Sequence, residues 1–351
     1  MKQKFLLVDS MNIFFRAKHM APARADTWTK IGFALHVMLN IVNKSWKKEN
    51  ASHVVFCTEG KSWRKEFYKP YKMNRAEDRA KLSDKQVEED TEMFGALNEM
   101  IAFLSEHTNV TVLNNPIAEA DDLIARWIHG HPDDEHIIMS SDSDFYQLLS
   151  DNVKMYNGVQ NHMITIDGIF DDKGARVRHS VKARDENGKL IKDKNGKQKM
   201  VKEDKPAPEP EWELFEKCMR GDTSDNIFSA YPGVRRKGTK NNPIGLEEAF
   251  ADKEGRGYKW NNLMLQRWAD HKGDDHRVLD DYDRNVKLVD LTAQPADIKE
   301  YVDDTIEEQS RSKNNPQVGR HFLRFCGKWE LKKVAEYSEQ YVDWLKADYN
   351  D

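Results

Sequence analysis

Short apolar runs punctuate the first half of the chain, and several end on or near an acid. Phe5-Leu6-Leu7-Val8 ends at Asp9, and Val54-Val55-Phe56 ends near Glu59. Val110 to Leu113, Ile137 to Met139, Val153 to Tyr156 and Met163 to Ile166 read as four further strands. Helical stretches such as Ile31 to Trp46 and Asp90 to Leu104 lie between them. This alternation predicts βα units, an α/β fold with a mostly parallel sheet. In open sheets of this kind, ligands gather beyond the carboxyl ends of the strands. Asp9, Glu59 and Ser140-Ser141-Asp142-Ser143-Asp144 fall there.

Two segments break the pattern. Lys65 to Glu89 is highly charged and poor in aliphatics, which suits an exposed arch. Lys173 to Lys202 holds eleven Lys/Arg against three Asp/Glu, a local balance of +8. Its Asn187-Gly188 and Asn195-Gly196 pairs favour tight hairpin turns, so it reads as a basic β-ribbon. Pro206-Ala207-Pro208-Glu209-Pro210 reads as a short stiff linker. From Trp212 onward the pattern is mostly helical, and no internal repeat is visible. Three units follow: 1–170 with the arch at about 65–89, 171–210 as ribbon and linker, and 211–351 as a helical region.

Composition narrows the class. The 351 residues include nine Trp and fifteen Phe, enough to anchor a large core. Mean hydropathy is −0.83, and no apolar run approaches the roughly 20 residues of a bilayer span. The N-terminus runs directly into a strand, so no secretory leader is expected. Cys57, Cys218 and Cys326 are odd in number and far apart, which suits buried thiols in a reducing cytoplasm. The net charge of −5 leaves nucleic acid open as a partner, because the placement of each sign decides that.

The candidate chemistry lies in acids at segment ends: Asp9; Glu59; Glu119, Asp121 and Asp122; Asp142 and Asp144; Asp222 and Asp225. A helix would bring Glu119 and Asp122 to one face. An extended segment would point Asp142 and Asp144 the same way. Clustered carboxylates raise one another's pKa unless cations hold them. Hard oxygen ligands without Cys or His favour Mg²⁺, with Mn²⁺ as a substitute. Two such ions about 4 Å apart suit phosphodiester hydrolysis. Any single acid among these is more simply a solvated charge or helix cap; the set is more specific than its members.

The ordered blocks Leu7-Val8-Asp9-Ser10, Trp63-Arg64-Lys65 to Arg75, Glu119-Ala120-Asp121-Asp122, Ser141-Asp142-Ser143-Asp144-Phe145 and Gly221-Asp222-Thr223-Ser224-Asp225-Asn226 resemble the 5′ nuclease family. That family includes phage flap endonucleases, 5′→3′ exonucleases and the 5′-nuclease domain of bacterial DNA polymerase I. The resemblance spans Phe5 to about Phe250. It implies a PIN-like sheet, a helical arch and a helix-turn-helix-type region. It also implies a first metal among Asp9, Glu119, Asp121, Asp122 and Asp142, with Glu59 beside them. Asp144, Asp222 and Asp225 would hold a second metal, with Asp142 near both. Ungapped matching puts Cys57 where the family carries an acid after the second strand; counting back from Trp63 selects Glu59. A carboxylate suits a magnesium site, so Glu59 is preferred.

The arch interleaves Tyr68, Lys69, Tyr71, Lys72, Arg75 and Arg79, a mixture suited to single-stranded nucleic acid. The resemblance assigns Lys72 and Arg75 to the scissile phosphate and makes Asp142 part of the catalytic set. Arg64, Tyr71 and Arg79 join the expected DNA contacts. In place of the family's Gly-hydrophobic-Gly hairpin stands Tyr231-Pro232-Gly233-Val234-Arg235-Arg236-Lys237-Gly238. Arg235, Arg236, Lys237 and Lys240 there could grip phosphates. Gly60-Lys61-Ser62 lacks the earlier glycine of a phosphate loop. His129, His131 and His136 are better read as loop residues than as zinc ligands.

The expected activity is metal-dependent DNA hydrolysis near a 5′ end, flap or nick, in replication or repair, with RNA–DNA hybrids as a further substrate. A PIN-like ribonuclease and a junction-binding protein without catalysis are the rivals. A monomer without membrane contact is expected, in the host cytoplasm if the source is a phage, since the layout resembles phage members.

Overall fold

A computed structural model describes residues 2–186 and 188–349. The elements in order are β1 (Lys4–Asp9), α1 (Ser10–Met20), α2 (Thr27–Glu49), β2 (His53–Cys57), α3 (Arg64–Phe67), α4 (Met73–Ala80), α5 (Asp84–His107), β3 (Thr111–Leu113), α6 (Ala120–Gly130) and β4 (Glu135–Met139). A 3₁₀ turn at Ser143–Leu148 precedes β5 (Val153–Asn157), β6 (His162–Thr165), β7 (Gly168–Phe170), β8 (Arg178–Lys182) and β9 (Met200–Asp204). Then come α7 (Pro210–Arg220), α8 (Leu246–Phe250), α9 (Tyr258–Met264), β10 (Arg267–Ala269), β11 (Asp275–Arg277), α10 (Val278–Val289), α11 (Ala296–Gln309), α12 (Val318–Lys328), α13 (Lys332–Glu336) and α14 (Glu339–Lys346).

Seven strands form one sheet in the order β3-β2-β1-β4-β5-β6-β7. The first five are parallel; β6 and β7 complete it as antiparallel hairpins. Side chains alternate across the pleat, so β1 feeds two cores. Leu6 and Val8 face a cluster built with α1, α2, α5, α12 and α14. Phe5 and Leu7 face a second, built with α6 and α11. Both faces are covered, which is why these strands read as continuous apolar runs.

A third core joins α7 to α10 and includes Tyr71 from the arch segment. This corrects the expected 211–351 unit. Only about 212–289 forms the separate helical body. Ile298, Val302 and Ile306 of α11 pack on one face of the sheet, and Phe322 and Trp344 pack on the other. The arch segment is helical throughout α4, where no side chain is buried. α5 begins with a capping box, in which Ser83 and Gln86 satisfy each other's backbone amides.

The basic segment is a ribbon, with β8 pairing antiparallel to β9. Asn187, of the first expected turn, lies outside the described residues. The turn at Asn195-Gly196 is a five-residue loop from Asp193 to Lys197, with Gly196 at φ +75. Asp171–Ala175 and Asp270–Asp274 repeat its backbone bonds, each with a positive-φ glycine fourth. This repeat was too short to show as sequence periodicity. Among the described residues, no helix is long and apolar enough to cross a membrane.

Candidate metal centre

The acids converge at the carboxyl end of the sheet in two groups. Asp9 ends β1 and caps α1 by accepting from the Asn12 amide at 3.1 Å; Ser140, just past β4, donates to it at 2.9 Å. Burial pushes its carboxyl up to about 6. Glu59 follows β2 and accepts from the Ala120 amide at 2.9 Å. Its loop is seated by Gly60, whose amide donates to the Ala118 carbonyl at 2.9 Å. A Cβ at Gly60 would stand 2.0 Å from the Asn115 oxygen. Burial, and then the neighbouring Glu119, push Glu59 up to about 7. Cys57 instead points into the sheet core, and burial pushes its thiol up. Glu59 is therefore the side chain after β2 that meets the acids.

At the start of α6, burial and the neighbouring Glu59, Glu119 and Asp9 raise Asp121 well above the usual carboxylate range, against the pull of Lys72. Glu119 is buried, yet the Lys72 ammonium and Arg64 guanidinium outweigh that and hold it low. It accepts from Lys72, and from the Tyr71 hydroxyl at 2.8 Å.

Asp122 belongs to neither group, a correction to the expected ligand set. It is 0 % exposed and takes a bidentate pair from Arg64 at 2.8 and 2.9 Å. Trp63, Gln294 and the Glu119 amide also donate to it. Burial opposes its charge, but Arg64 prevails and keeps it ionised. With its oxygens so occupied, it is a structural anion.

Arg64 is corrected with it. Only 1 % exposed, it also donates to the Leu288 carbonyl at 2.9 Å, clamping the third core to the sheet domain. Tyr71 is likewise buried, with its hydroxyl between Glu119 and Asp225 at 2.8 and 3.2 Å. It braces the acids and has no free ring face for a base.

The second group is Asp144, Asp222 and Asp225, whose carboxylate oxygens lie within 4.8 Å of one another. The loop 222–227 is closed by reciprocal backbone bonds between Asp222 and Ile227. Gly221 before it has φ +73, and a Cβ there would stand 2.3 Å from the Ile227 oxygen. Lys217, in the last turn of α7, reaches between Asp144 and Asp222, 2.6 Å from the latter. Burial pushes Asp144 up to about 6. Asp222 also pays some burial, but Lys217 and Ser224 bring it down to about 2. Asp225 pairs with Arg75 at 2.6 Å, and Lys72 stands 3.7 Å away, bridging to Glu119. Asp142 is exposed; its carboxylate accepts from the Asp144 amide at 3.1 Å, and its own amide donates to the Ser140 hydroxyl at 3.1 Å. Its charge raises both Asp9 and Asp144.

Sequence reasoning missed Lys217. Its only signal was a basic residue closing the helix ahead of an acid loop.

A cavity of 620 Å³ opens between these acids and the arch. Glu59 and Glu119 form its floor, Lys72, Arg75 and Arg79 one wall, and Phe94, Leu97 and Ile101 another. Farther off, Arg235 and Lys240 are exposed without ion pairs among the described residues. Arg236 and Lys237 are exposed but both pair with Glu247, at 2.9 and 3.2 Å. The Glu248 carboxylate accepts from the Gly238 and Gly245 amides, each at 2.9 Å. That carboxylate fills the loop's inward-pointing amides and leaves side chains to make outward contacts.

Comparison with known proteins agrees with this architecture. The bacteriophage T5 5′-exonuclease with bound zinc superposes with a TM-score of 0.56 at 19% identity, covering 87% of this chain and 99% of that one. The T5 flap endonuclease, in a pseudo-enzyme-product complex with DNA and metal ions, gives 0.53 at 17% identity, covering 88% and 100%. At these identities the likeness is one of fold. Residues 4–175 match the family described as 5′-3′ exonuclease, N-terminal resolvase-like domain. That match starts at β1 and contains the acids from Asp9 to Asp144, so residues 4–175 carry the N-terminal domain of a 5′ nuclease.

Proposed function

We infer that this 5′ nuclease hydrolyses DNA phosphodiesters near 5′ ends, flaps and nicks with two divalent ions, Mg²⁺ or Mn²⁺. The observation that carries the reading is the convergence of acids from five chain segments beside a cavity that Glu59 and Glu119 line together with Lys72, Arg75 and Arg79. The residues fit such ions. Asp144, Asp222 and Asp225 offer hard oxygens within 4.8 Å of one another, with no His or Cys among them. Asp9, Glu59, Glu119 and Asp121 would hold the other ion, with Asp142 between the groups. Bound divalent ions supply an activated water and stabilise the attacking and leaving oxygens.

The chain's own residues do the rest. Lys72 and Arg75 stand between the acids and the cavity, where a phosphate would meet fixed positive charge. Tyr71 and Ser140 hold Glu119 and Asp9 in place. Arg79, Arg235 and Lys240 are free to follow the DNA backbone, and Arg236 and Lys237 can join them at the cost of Glu247. Exonuclease and flap-endonuclease cleavage would share this centre, and RNA in RNA–DNA hybrids would be a further substrate. A monomer suffices, because one chain supplies every acid.

The test is a 5′-labelled flap substrate with and without Mg²⁺, beside an RNA competitor. Cleavage should need metal and vanish in Asp142→Ala with Asp144→Ala. Metal-independent cleavage, or activity unchanged in that variant, would overturn the mechanism. Preference for RNA over branched DNA would favour the ribonuclease reading.

A further inference from the structure

We propose that the β8–β9 ribbon is a second DNA contact, a basic prong that holds the phosphate backbone of the duplex arm away from the chemistry. The inference rests on the nuclease reading above. Nothing about the acidic centre requires the ribbon, so its construction asks for a separate account.

The ribbon is rooted firmly. Phe170 bridges Arg176, the Val177 amide donates to the Ile169 carbonyl at 2.8 Å, and the Lys205 amide donates to Val177 at 2.7 Å. These bonds stitch its base to the edge strand β7. Register gives it two faces. Val181 and Val201 pair on the half-buried side, while Ser180, Lys182 and Lys202 lie outward. At the tip, Ala183, Ile191 and Lys199 are tied by three backbone bonds of 2.9 to 3.0 Å, from which two turns project.

Two of the three acids in these turns are engaged internally, and the third, Glu186, is exposed. Asp193 accepts from the Asn195 and Lys197 amides at 2.8 and 2.9 Å, and Asp185 accepts from the Lys189 amide at 2.8 Å. Arg184, Lys189, Lys192, Lys194, Lys197 and Lys199 are all exposed. Among the described residues, the ribbon's ion pair is Arg178 with Asp204, at its base. Six cations on two short turns repel one another, a cost the free protein does not recover. A polyanion recovers it, by releasing its condensed counterions.

Shape selects among polyanions. A two-stranded ribbon fits the duplex major groove, about 12 Å wide. Position agrees. Val8, Met139, Tyr156, Met163 and Phe170 form one register row across five strands. At about 4.8 Å per strand, the ribbon's root stands about 19 Å from Asp9. The six residues to the tip add at most about 20 Å. An arm of roughly twelve base pairs spans that whole path at about 3.4 Å each.

The experiment replaces Arg184, Lys189, Lys192, Lys194, Lys197 and Lys199 with Gln in the full chain. Binding is measured without divalent metal across a salt series, on flaps with a duplex arm of roughly 24 or roughly 6 base pairs, the latter closed as a hairpin. Three lost phosphate contacts would lower the slope of log K against log salt by about 2.7. The expected result is that loss on the long arm, an unchanged short arm, and an unchanged single-turnover cleavage rate at saturating enzyme. Unchanged long-arm affinity and slope, with or without lost binding to anionic lipid vesicles, would overturn the proposal. If the variant's thermal midpoint falls, Lys192, Lys194 and Lys197→Gln confines the change to one turn and should give about half the slope effect. Absence of metal-dependent cleavage in the parent protein would instead count against the nuclease reading, independently of the ribbon.

Discussion

Replacing Arg64 by leucine separates two readings of a basic residue beside the acids. The sequence places Arg64 among the DNA contacts; the structure makes it the counter-charge of Asp122, with 1 % and 0 % exposed. Arg64→Leu would leave Asp122 with three neutral donors, Trp63, Gln294 and the Glu119 amide. The Leu288 carbonyl would lose its donor as well. Breaking a buried ion pair from one side costs about 3–5 kcal/mol, and an orphaned carbonyl adds about 1 kcal/mol or more. The expected loss is therefore about 4 kcal/mol or greater, a large share of an ordinary domain's stability. Urea unfolding of the metal-free protein reads it directly. Pairing Arg64→Leu with Asp122→Leu should recover part of the loss, because the stranded charge is gone. Arg75→Ala is the control: its side chain is half exposed, so stability should move by less than about 1 kcal/mol while flap cleavage falls. An Arg64→Leu protein that unfolds like the parent but binds flaps poorly would refute the structural assignment and restore the DNA contact.

Three further outcomes follow from the centre's geometry. Burial raises Asp9 and Asp144 to about 6 and Glu59 to about 7, so the folded protein holds protons that the unfolded chain releases at lower pH. Metal-free stability should thus fall as pH rises through about 4 to 7; Mg²⁺ should then raise the unfolding temperature more at pH 8 than at pH 5, and an equal gain would contradict the assignment. Lys217 neutralises Asp144 and Asp222 from within. Lys217→Met should therefore tighten Mn²⁺ binding by roughly tenfold, about 1.4 kcal/mol, in calorimetry, and weaker binding would make the lysine a support for the site. Gly60→Ala would force a methyl against the Asn115 and Ala118 carbonyls, so a loss of about 1–3 kcal/mol with weaker metal binding is expected from the displaced Glu59; parent-like behaviour in both would show that the loop is free to move.

Strand ends were legible because local chemistry marks them. A strand buried on both faces must be apolar throughout, so Phe5 to Val8 announces itself and Asp9 is its visible stop. The paired acids Asp222 and Asp225 were legible because a short loop holds them together. Helices α11 to α14 were misplaced because an amphipathic pattern shows that a helix has an apolar side without naming the surface that covers it. Phe322 and Trp344 find the sheet only after the chain has passed through the third core.

The roles of the cations were hidden for a deeper reason. A centre of many acids must be neutralised to stay folded, and the chain supplies cations from distant positions. Lys217 and Asp144 are 73 residues apart, and Arg64 and Asp122 are 58 apart. Along the sequence, a lysine that neutralises and a lysine that binds substrate look alike. Exposure tells them apart. Arg64 has no path to solvent, so its charge belongs to the fold. Arg75 is half in water and can exchange Asp225 for a phosphate. Lys72 and Lys217 lie between these extremes, each spanning two acids. On the proposed two-metal reading, they are the groups whose partners would change as a divalent ion enters, and they would link metal loading to the charge that the cavity presents to DNA.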